Sequence, residues 1–436
     1  VTFKNIRILS ISIIACLICY ANAIRFRSTR DMALAMDIIE QVYVEPADPK
    51  ALYRSAMNGM MKSLDLHSSY IAADSLQSFQ SYFEQQFGGL GVSLDGPPRR
   101  PHLTVVTTLF NSPAFRAGLL PGDVITKIDD EHVRTSMVDQ VSNKLRGKEG
   151  TSVTLEIDRA GSIFSKTIVR EKINVESVIG DRRRGDGTWE YTMQYDPQIA
   201  YFRIELFGEK TANELQKAIE SCKDRVQGIV IDLRDNSGGL LLAATDICDM
   251  FLDDGQIVTT RGRGQKIDEE IDAYAGTVVA NSVPIAVIVN ENSASASEIV
   301  AACLKDRNRC IVVGVRSFGK GSVQNVIPLE GGRAALRLTT AYYYPPSGQR
   351  IHRRENQPSD AWGVDPSDGC EMDLTEEGLA TTIARFRQRS DPLANGMIPQ
   401  PPGGETASDS LDPSLNDDAQ LLLAVRKLQE FISNKQ

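Results

Sequence analysis

Apolar residues along this chain change their spacing twice, and each change predicts a different kind of element. Met32, Ala35, Met36, Ile39, Val42 and Tyr43 fall on one helix face, and Lys50 to Leu64 reads as a second helix after "EPADP". Residues 28–86 therefore read as a small helical unit, whose Met-rich faces suit core or dimer contact better than a cofactor site. From "FGGLGVSLDG" (87–96) the chain turns glycine-rich and β-dense. "LTVVTTL" and "TSVTLEIDRAG" are strands. "SPAFRAGLLPGDVITKIDDEHV" (112–133) predicts a short helix, a tight turn, a strand and a second turn at Asp129-Asp130. About 90 residues of this kind make one compact module.

From about residue 196 strands and helices alternate. "GIVIDL" (228–233), "PIAVIVN" (284–290) and "CIVVG" (310–314) are apolar without polar alternation. "GLLLAATDICDMFL" and "SEIVAACL" lie between them as helices, and Leu215, Ala218, Ile219 and Cys222 mark an earlier one. Such strands belong to a mainly parallel sheet covered on both faces. Leu336, Leu338 and Thr340 alternate as an antiparallel strand would. Residues 390–417, rich in Pro, Gly, Ser and Asp, read as a linker. Leu421, Ala424, Val425, Leu428 and Ile432 form a terminal amphipathic helix, with Asp417 as its expected cap. No internal repeat is visible.

Composition changes this picture at the amino terminus. Lys4 and Arg7 precede seventeen uncharged residues, Ile8 to Ile24, which end in Ala21-Asn22-Ala23. That pattern fits a cleaved secretory signal and equally a retained single membrane anchor; a lipid on Cys16 is a third reading. All three place the body outside the cytoplasm, in the periplasm or cell envelope. The net charge of −9 gives no reason to expect a nucleic-acid partner. Cys222, Cys248, Cys303, Cys310 and Cys370 follow the apolar run in odd number and without a CxxC spacing. They read as buried thiols, with no metal site and no cofactor. Arg182-Arg183-Arg184 reads as a solvated charged loop.

Two stretches carry chemistry. "SFGKGSVQ" (317–324) nearly spells a phosphate loop, but Gly321 stands where Ser or Thr would bind magnesium, and strand composition follows instead of a helix. Lys320 is then an exposed turn residue or a proton acceptor. "NENSASASEIV" (290–300) puts Ser293, Ser295 and Ser297 at a strand-to-helix junction. Ser295 with Glu298 fits a capping box. A serine there also sits where backbone N–H groups converge on a developing oxyanion. The four histidines, His67, His102, His132 and His352, all lie outside residues 133–351. A lysine can act as the base if its pKa falls by roughly 3 units from about 10.4, which costs about 4 kcal/mol and is supplied by burial.

"DLRDNSGG", "SASASEI" and "SFGKGSVQ", in that order, resemble the carboxyl-terminal processing peptidases, or tail-specific proteases. "GGLGVSL", "SPAFRAGLLPGDVI" and "LRGKEG" look like that family's PDZ domain. "SLDLHSSYI" is similar to its N-terminal region, except that Leu66 stands where Pro is usual. The resemblance covers roughly residues 30–365. It implies an α/β fold: a crotonase-like protease core with an inserted β-rich PDZ domain and an N-terminal helical segment. It implies a serine endopeptidase with Ser295 as nucleophile, Lys320 as general base and Gln324 aligning the lysine. Backbone amides of Gly239 and Ala296 would be oxyanion donors. Leu90, Gly91 and Val92 would receive the carboxylate of a protein's C-terminal tail. Arg146 would link docking to alignment, or be a surface charge. Asp306 matches an acidic position of some members and reads as structural. The implied organisation is a signal or anchor at 1–27, a helical segment at 28–86, a PDZ domain at 87–175 and a protease core at 176–370. A variable segment and linker at 371–417 and a helix at 418–436 complete it. A homodimer through the helical segments is a further expectation. A catalytically silent adaptor that only tethers tails is the rival reading.

Overall fold

The computed structural model describes residues 27–353, 362–382 and 418–434. The expected leader and the linker at 390–417 lie outside them. Two compact units divide the chain: residues up to Leu76 together with Gln324–Thr339, and Gln77–Val323 together with Thr340 onward.

In the first unit, helix Pro49–Lys62 starts at Pro49, whose missing N–H is no loss in a first turn, and Asp48 caps it by accepting from the Lys50 amide at 3.0 Å. This helix buries Met57 and Met61, whereas the preceding helix Arg27–Val42 buries none of its residues. Strand Ser69–Ile71 pairs antiparallel with Ala335–Arg337, as the alternation around Leu336 predicts.

In the second unit, the β-rich module runs Val92–Asp95, Thr104–Thr108, Val124–Ile128, Ser152–Arg159, Ser162–Val169 across its sheet. Leu103, Val105, Ile125, Leu155 and Ile157 fill its core, and helix Val138–Leu145 adds Val141 and Leu145.

The central sheet has strands β1 (Val178–Ile179), β2 (Ile199–Ile204), β3 (Gly228–Asp232), β4 (Ile285–Val289) and β5 (Ile311–Gly314), side by side in chain order. β1 is antiparallel to β2 and the rest are parallel. Right-handed crossovers that always advance in one direction put their helices on one face. Here these are α1 (Thr211–Cys222), α2 (Leu241–Asp249) and α3 (Ala296–Asp306), packed on Phe202, Ile231, Val287 and Val312. The alternate residues Tyr201, Val230, Ala286, Ile288 and Val313 face the other way, against Leu421, Ala424, Val425 and Leu428 of α4 (Ala419–Ser433). Two-sided cover explains why these strands read as unbroken apolar runs.

Two local expectations need correcting. Asp418, not Asp417, caps α4, its carboxylate accepting from the Leu421 amide at 3.0 Å. Of Arg182-Arg183-Arg184, expected as a solvated loop, Arg182 and Arg184 are exposed but Arg183 is not. Arg182 and Arg183 form one strand of a hairpin with Trp189–Glu190, and the Arg183 side chain is only 9% exposed. Its guanidinium lies over the Trp189 ring at 4.3 Å and donates to the Gly187 carbonyl at 2.8 Å. Glu176 answers its charge while the ring covers its face, so a charge run need not mean solvent. The cysteines beyond the apolar run are free thiols, and among the described residues no cluster could hold a metal ion. No described helix is long and apolar enough to cross a membrane.

Candidate active site

Three serines at the junction of β4 and α3 look equivalent in sequence, and the fold separates them. Ser293 and Ser297 are fully buried, their hydroxyls donating to the carbonyls of Leu233 and Asn236 at 2.8 and 2.9 Å. Ser295 alone is partly exposed. Its backbone sits at φ 59°, ψ −115°, which a residue with a β-carbon adopts only when its surroundings enforce it. A strained turn at a helix start is the backbone setting in which a serine can serve as a nucleophile.

Glu298 enforces the turn, and it does more than cap a helix. Its buried carboxylate accepts on Oε2 from the Ser295 amide and from the Lys320 amide, each at 2.8 Å. On Oε1 it accepts from the Gly319 amide at 2.7 Å and the Ser317 hydroxyl at 2.6 Å. Burial pushes its pKa up, against the four hydrogen bonds that pull it down. One carboxylate thus holds the backbone of the serine turn and that of the lysine loop together. Buried Tyr343 repeats the bridge: its hydroxyl reaches the carbonyl oxygens of Ser295, at 3.1 Å, and of Lys320.

The glycines around Lys320 follow from crowding. A β-carbon on Gly319, at φ 87°, would lie 2.8 Å from the Trp362 ring, and one on Gly321 would lie 2.5 Å from the His352 amide nitrogen. Strand Ser322–Leu329 follows, so the phosphate-loop reading fails as its composition predicts. Lys320 is half-buried. His352, whose backbone passes Gly321, packs its ring on Tyr342 at 4.7 Å.

"DNSGG" reaches the same turn. The Asn236 carbonyl accepts from the Ala294 amide at 3.0 Å and from Ser297. A β-carbon on Gly238 would lie 2.7 Å from Ser295 Cβ and 2.9 Å from the Ala296 nitrogen. Gly239, at φ 153°, has no room for a side chain against the Phe207 carbonyl. Among the described residues, the amides of Gly239 and Ala296 have no acceptor within the protein. Upstream, Asp232 is fully buried between the guanidiniums of Arg234 and Arg203, which hold its carboxyl well below the usual range against the cost of burial.

The other predicted residues are placed as follows. Gln324 lies in the first unit, half-buried, with its amide donating to Thr339 Oγ1 at 3.3 Å. Asp306 ends α3, eleven residues and about 16 Å along the axis from Ser295 at 1.5 Å per residue, and accepts from the Ser347 amide. That suits the structural role expected of it. In the β-rich module, the Leu90 and Gly91 carbonyls are taken by the amides of Ala114 and Leu109, at 2.9 and 2.8 Å. The Leu90 and Gly91 amides have no acceptor among the described residues. Val92 begins the edge strand of that sheet. Arg146 caps helix Val138–Leu145 and lies 4.9 Å over the Phe87 ring. A cleft of about 760 Å³ does not include the serine and lysine. It runs between Val106 and Phe110 of the β-rich module and Arg183, Asp235, Asn290 and Glu291.

A relative from Bartonella bacilliformis, a carboxy-terminal-processing protease, is 37% identical over 417 residues, 93% of this chain and 90% of its own length. The chain belongs to peptidase family S41. Residues 198–366 match that family, and residues 110–159 match the PDZ domain. A CtpA-like serine protease of Staphylococcus aureus is 33% identical over 74% of this chain and 62% of its own length. Among solved structures, the photosystem II D1 C-terminal processing protease matches 84% of this chain and 98% of its own, with 24% identity and a TM-score of 0.45. The chain is thus a serine-type peptidase of the C-terminal-processing kind, and its β-rich module is a PDZ domain.

Proposed function

We propose that this S41 peptidase cleaves proteins near accessible C-terminal tails with a Ser295–Lys320 dyad. The observation that carries the reading is the Glu298 carboxylate, which fastens the strained Ser295 turn and the Lys320 loop through backbone amides. Neutral Lys320 Nζ takes the hydroxyl proton as Ser295 Oγ attacks the scissile carbonyl. The Gly239 and Ala296 amides, at the positive end of α3, receive the oxyanion. The tetrahedral species collapses as the Lys320 ammonium protonates the departing amine, leaving an acyl-enzyme on Ser295. Lys320 then takes a proton from water, which attacks the ester, and returns it to Ser295 Oγ as that bond breaks and the new C-terminus is released. Gln324 is assigned to aligning the lysine amine.

The PDZ domain supplies the address. An extended tail adds to the edge strand that begins at Val92, and its carboxylate meets the amides of Leu90, Gly91 and Val92. Amidating the C-terminus of an unfolded test protein is therefore expected to raise KM about tenfold or more while kcat changes little. Steady-state kinetics on the free-acid and amidated forms check this. Equal KM values would show that the tail carboxylate is not read. Arg146 stays a proposed link between docking and the site.

Export to the cell envelope, by signal or anchor, rests on residues 1–27 and is part of the same proposal. Pairing of two copies rests on Leu34, Ile38, Val42 and Val44, which are exposed along and just beyond helix Arg27–Val42. Sedimentation of the full chain should show a dimer that Leu34→Glu with Ile38→Glu converts to monomer. A monomer throughout removes the pairing.

A further inference from the structure

We propose that Asp418, at the start of the C-terminal helix α4, is a positioning residue for the oxyanion loop, acting through Arg234. The proposal rests on the assignment of Gly239 as an oxyanion donor.

Arg234 lies two residues beyond the end of β3 and leads into Asp235-Asn236-Ser237-Gly238-Gly239. Its side chain is only 5% exposed, so its charge must be answered inside the protein. Asp232 answers on one side, accepting from Nε at 3.0 and 3.1 Å and from Nη2 at 2.6 Å. Asp418 answers on the other, Oδ1 accepting from Nη1 and Oδ2 from Nη2, both at 2.9 Å. Gln420 adds a longer acceptor to Nη1 at 3.3 Å. Two carboxylates on adjacent edges that share Nη2 fix the guanidinium plane, because its donors form a rigid fork.

The fixed guanidinium fixes the chain beyond it. The Arg234 amide donates to Asp232 at 3.0 Å. Asp235 then turns at φ 60°, its amide donating to Asn290 Oδ1 at 2.9 Å. The Gly238 amide donates to Asn236 Oδ1 at 2.8 Å. Gly238 already touches the Ser295 turn so closely that a β-carbon would collide with three of its atoms. The loop has little slack, and a shift of Arg234 moves the Gly239 amide relative to Ser295. The same Asp418 carboxylate caps α4, and α4 packs on one face of the sheet. A helix remote in sequence thereby holds one wall of the catalytic turn.

The test uses the full chain with Asp418→Asn, Arg234→Gln and the double variant. An asparagine keeps the shape and the cap but offers one acceptor where the fork needs two. Asp418→Asn is expected to lower kcat about 10- to 100-fold with KM within twofold of wild type. A peptide aldehyde, whose hemiacetal oxygen occupies the oxyanion position, should bind more weakly by a similar factor. The double variant should have the kcat of Arg234→Gln alone, because Asp418 acts through that arginine. Gln420→Ala, a milder loosening of the same fork, should lower kcat severalfold and keeps the proposal testable if Asp418→Asn does not fold. The proposal is overturned if either folded variant keeps wild-type kcat. It is also overturned if rate falls only with the folded fraction, or if the losses multiply in the double variant. Persistent cleavage by Ser295→Ala would instead overturn the dyad reading, and the two failures are thereby separate.

Discussion

Ser295→Ala and Lys320→Met should each lower kcat by at least about 10⁴-fold, and the double variant should be no worse than either alone. A nucleophile and its base act on one proton, so removing one leaves the other nothing to do. What activity survives comes from binding and the oxyanion donors. Lys320→Arg is the sharper substitution. It keeps a cation of similar length, but a guanidinium does not give up its proton at any working pH. If Lys320 works as a proton acceptor, the arginine variant is as inactive as the methionine one. If it only supplies positive charge, the arginine variant retains much of the rate. Initial rates on an unfolded protein substrate, with melting temperatures to verify folding, separate the two.

Glu298→Gln should lower kcat by roughly 100-fold and destabilise the protein by about 1–3 kcal/mol. The exchange is isosteric but reverses polarity on one side. Oε1 accepts from Ser317 and Gly319, and Oε2 from Ser295 and Lys320. Whichever way the amide turns, its NH₂ faces backbone donors, and at least one buried N–H loses its acceptor. The serine turn and the lysine loop then separate or twist, and small displacements at a proton-transfer distance cost rate steeply.

The pH dependence follows from the direction of the Glu298 shift. Its pKa is raised in the native state, so the native protein takes up this proton at higher pH than the unfolded chain. The associated stability is fully present below the unfolded value of about 4.3 and is lost as pH rises through the native value. Activity runs the other way, because only the carboxylate can accept from all four donors. The acid limb of kcat should contain a step from Glu298 that is missing in Glu298→Gln. A wild-type rate and acid limb in that variant would remove Glu298 from the account.

The sheet core was legible because β3, β4 and β5 are buried on both faces and leave unbroken apolar runs. The serine turn and the lysine loop were visible as residue types at a strand-to-helix junction and in a glycine frame. Their choice was not. Ser293, Ser295 and Ser297 are told apart by backbone strain, exposure and what their hydroxyls meet, and two of them meet carbonyls more than 50 residues away. Glu298 was read for its local half, the helix cap, since its bonds to the lysine loop cross 21 and 22 residues. Arg183 was misread because sequence shows a charge and not the Trp189 ring beneath it. Asp418 left only an acidic pair before a helix, and its partner Arg234 lies 184 residues earlier. Local periodicity records which face of an element is buried. It does not record the distant carbonyl, ring or guanidinium that a polar side chain meets.

The central claim is that the Lys320 amine is neutral while the enzyme works. Lysine labelled with ¹³C at Cε, assigned by the signal that disappears in Lys320→Arg, reports this by NMR across the pH range of cleavage. The account predicts that Lys320 titrates some units below the ordinary value of about 10.4, together with the rise of kcat/KM. An amine that remains an ammonium wherever the enzyme cleaves at full rate would contradict it.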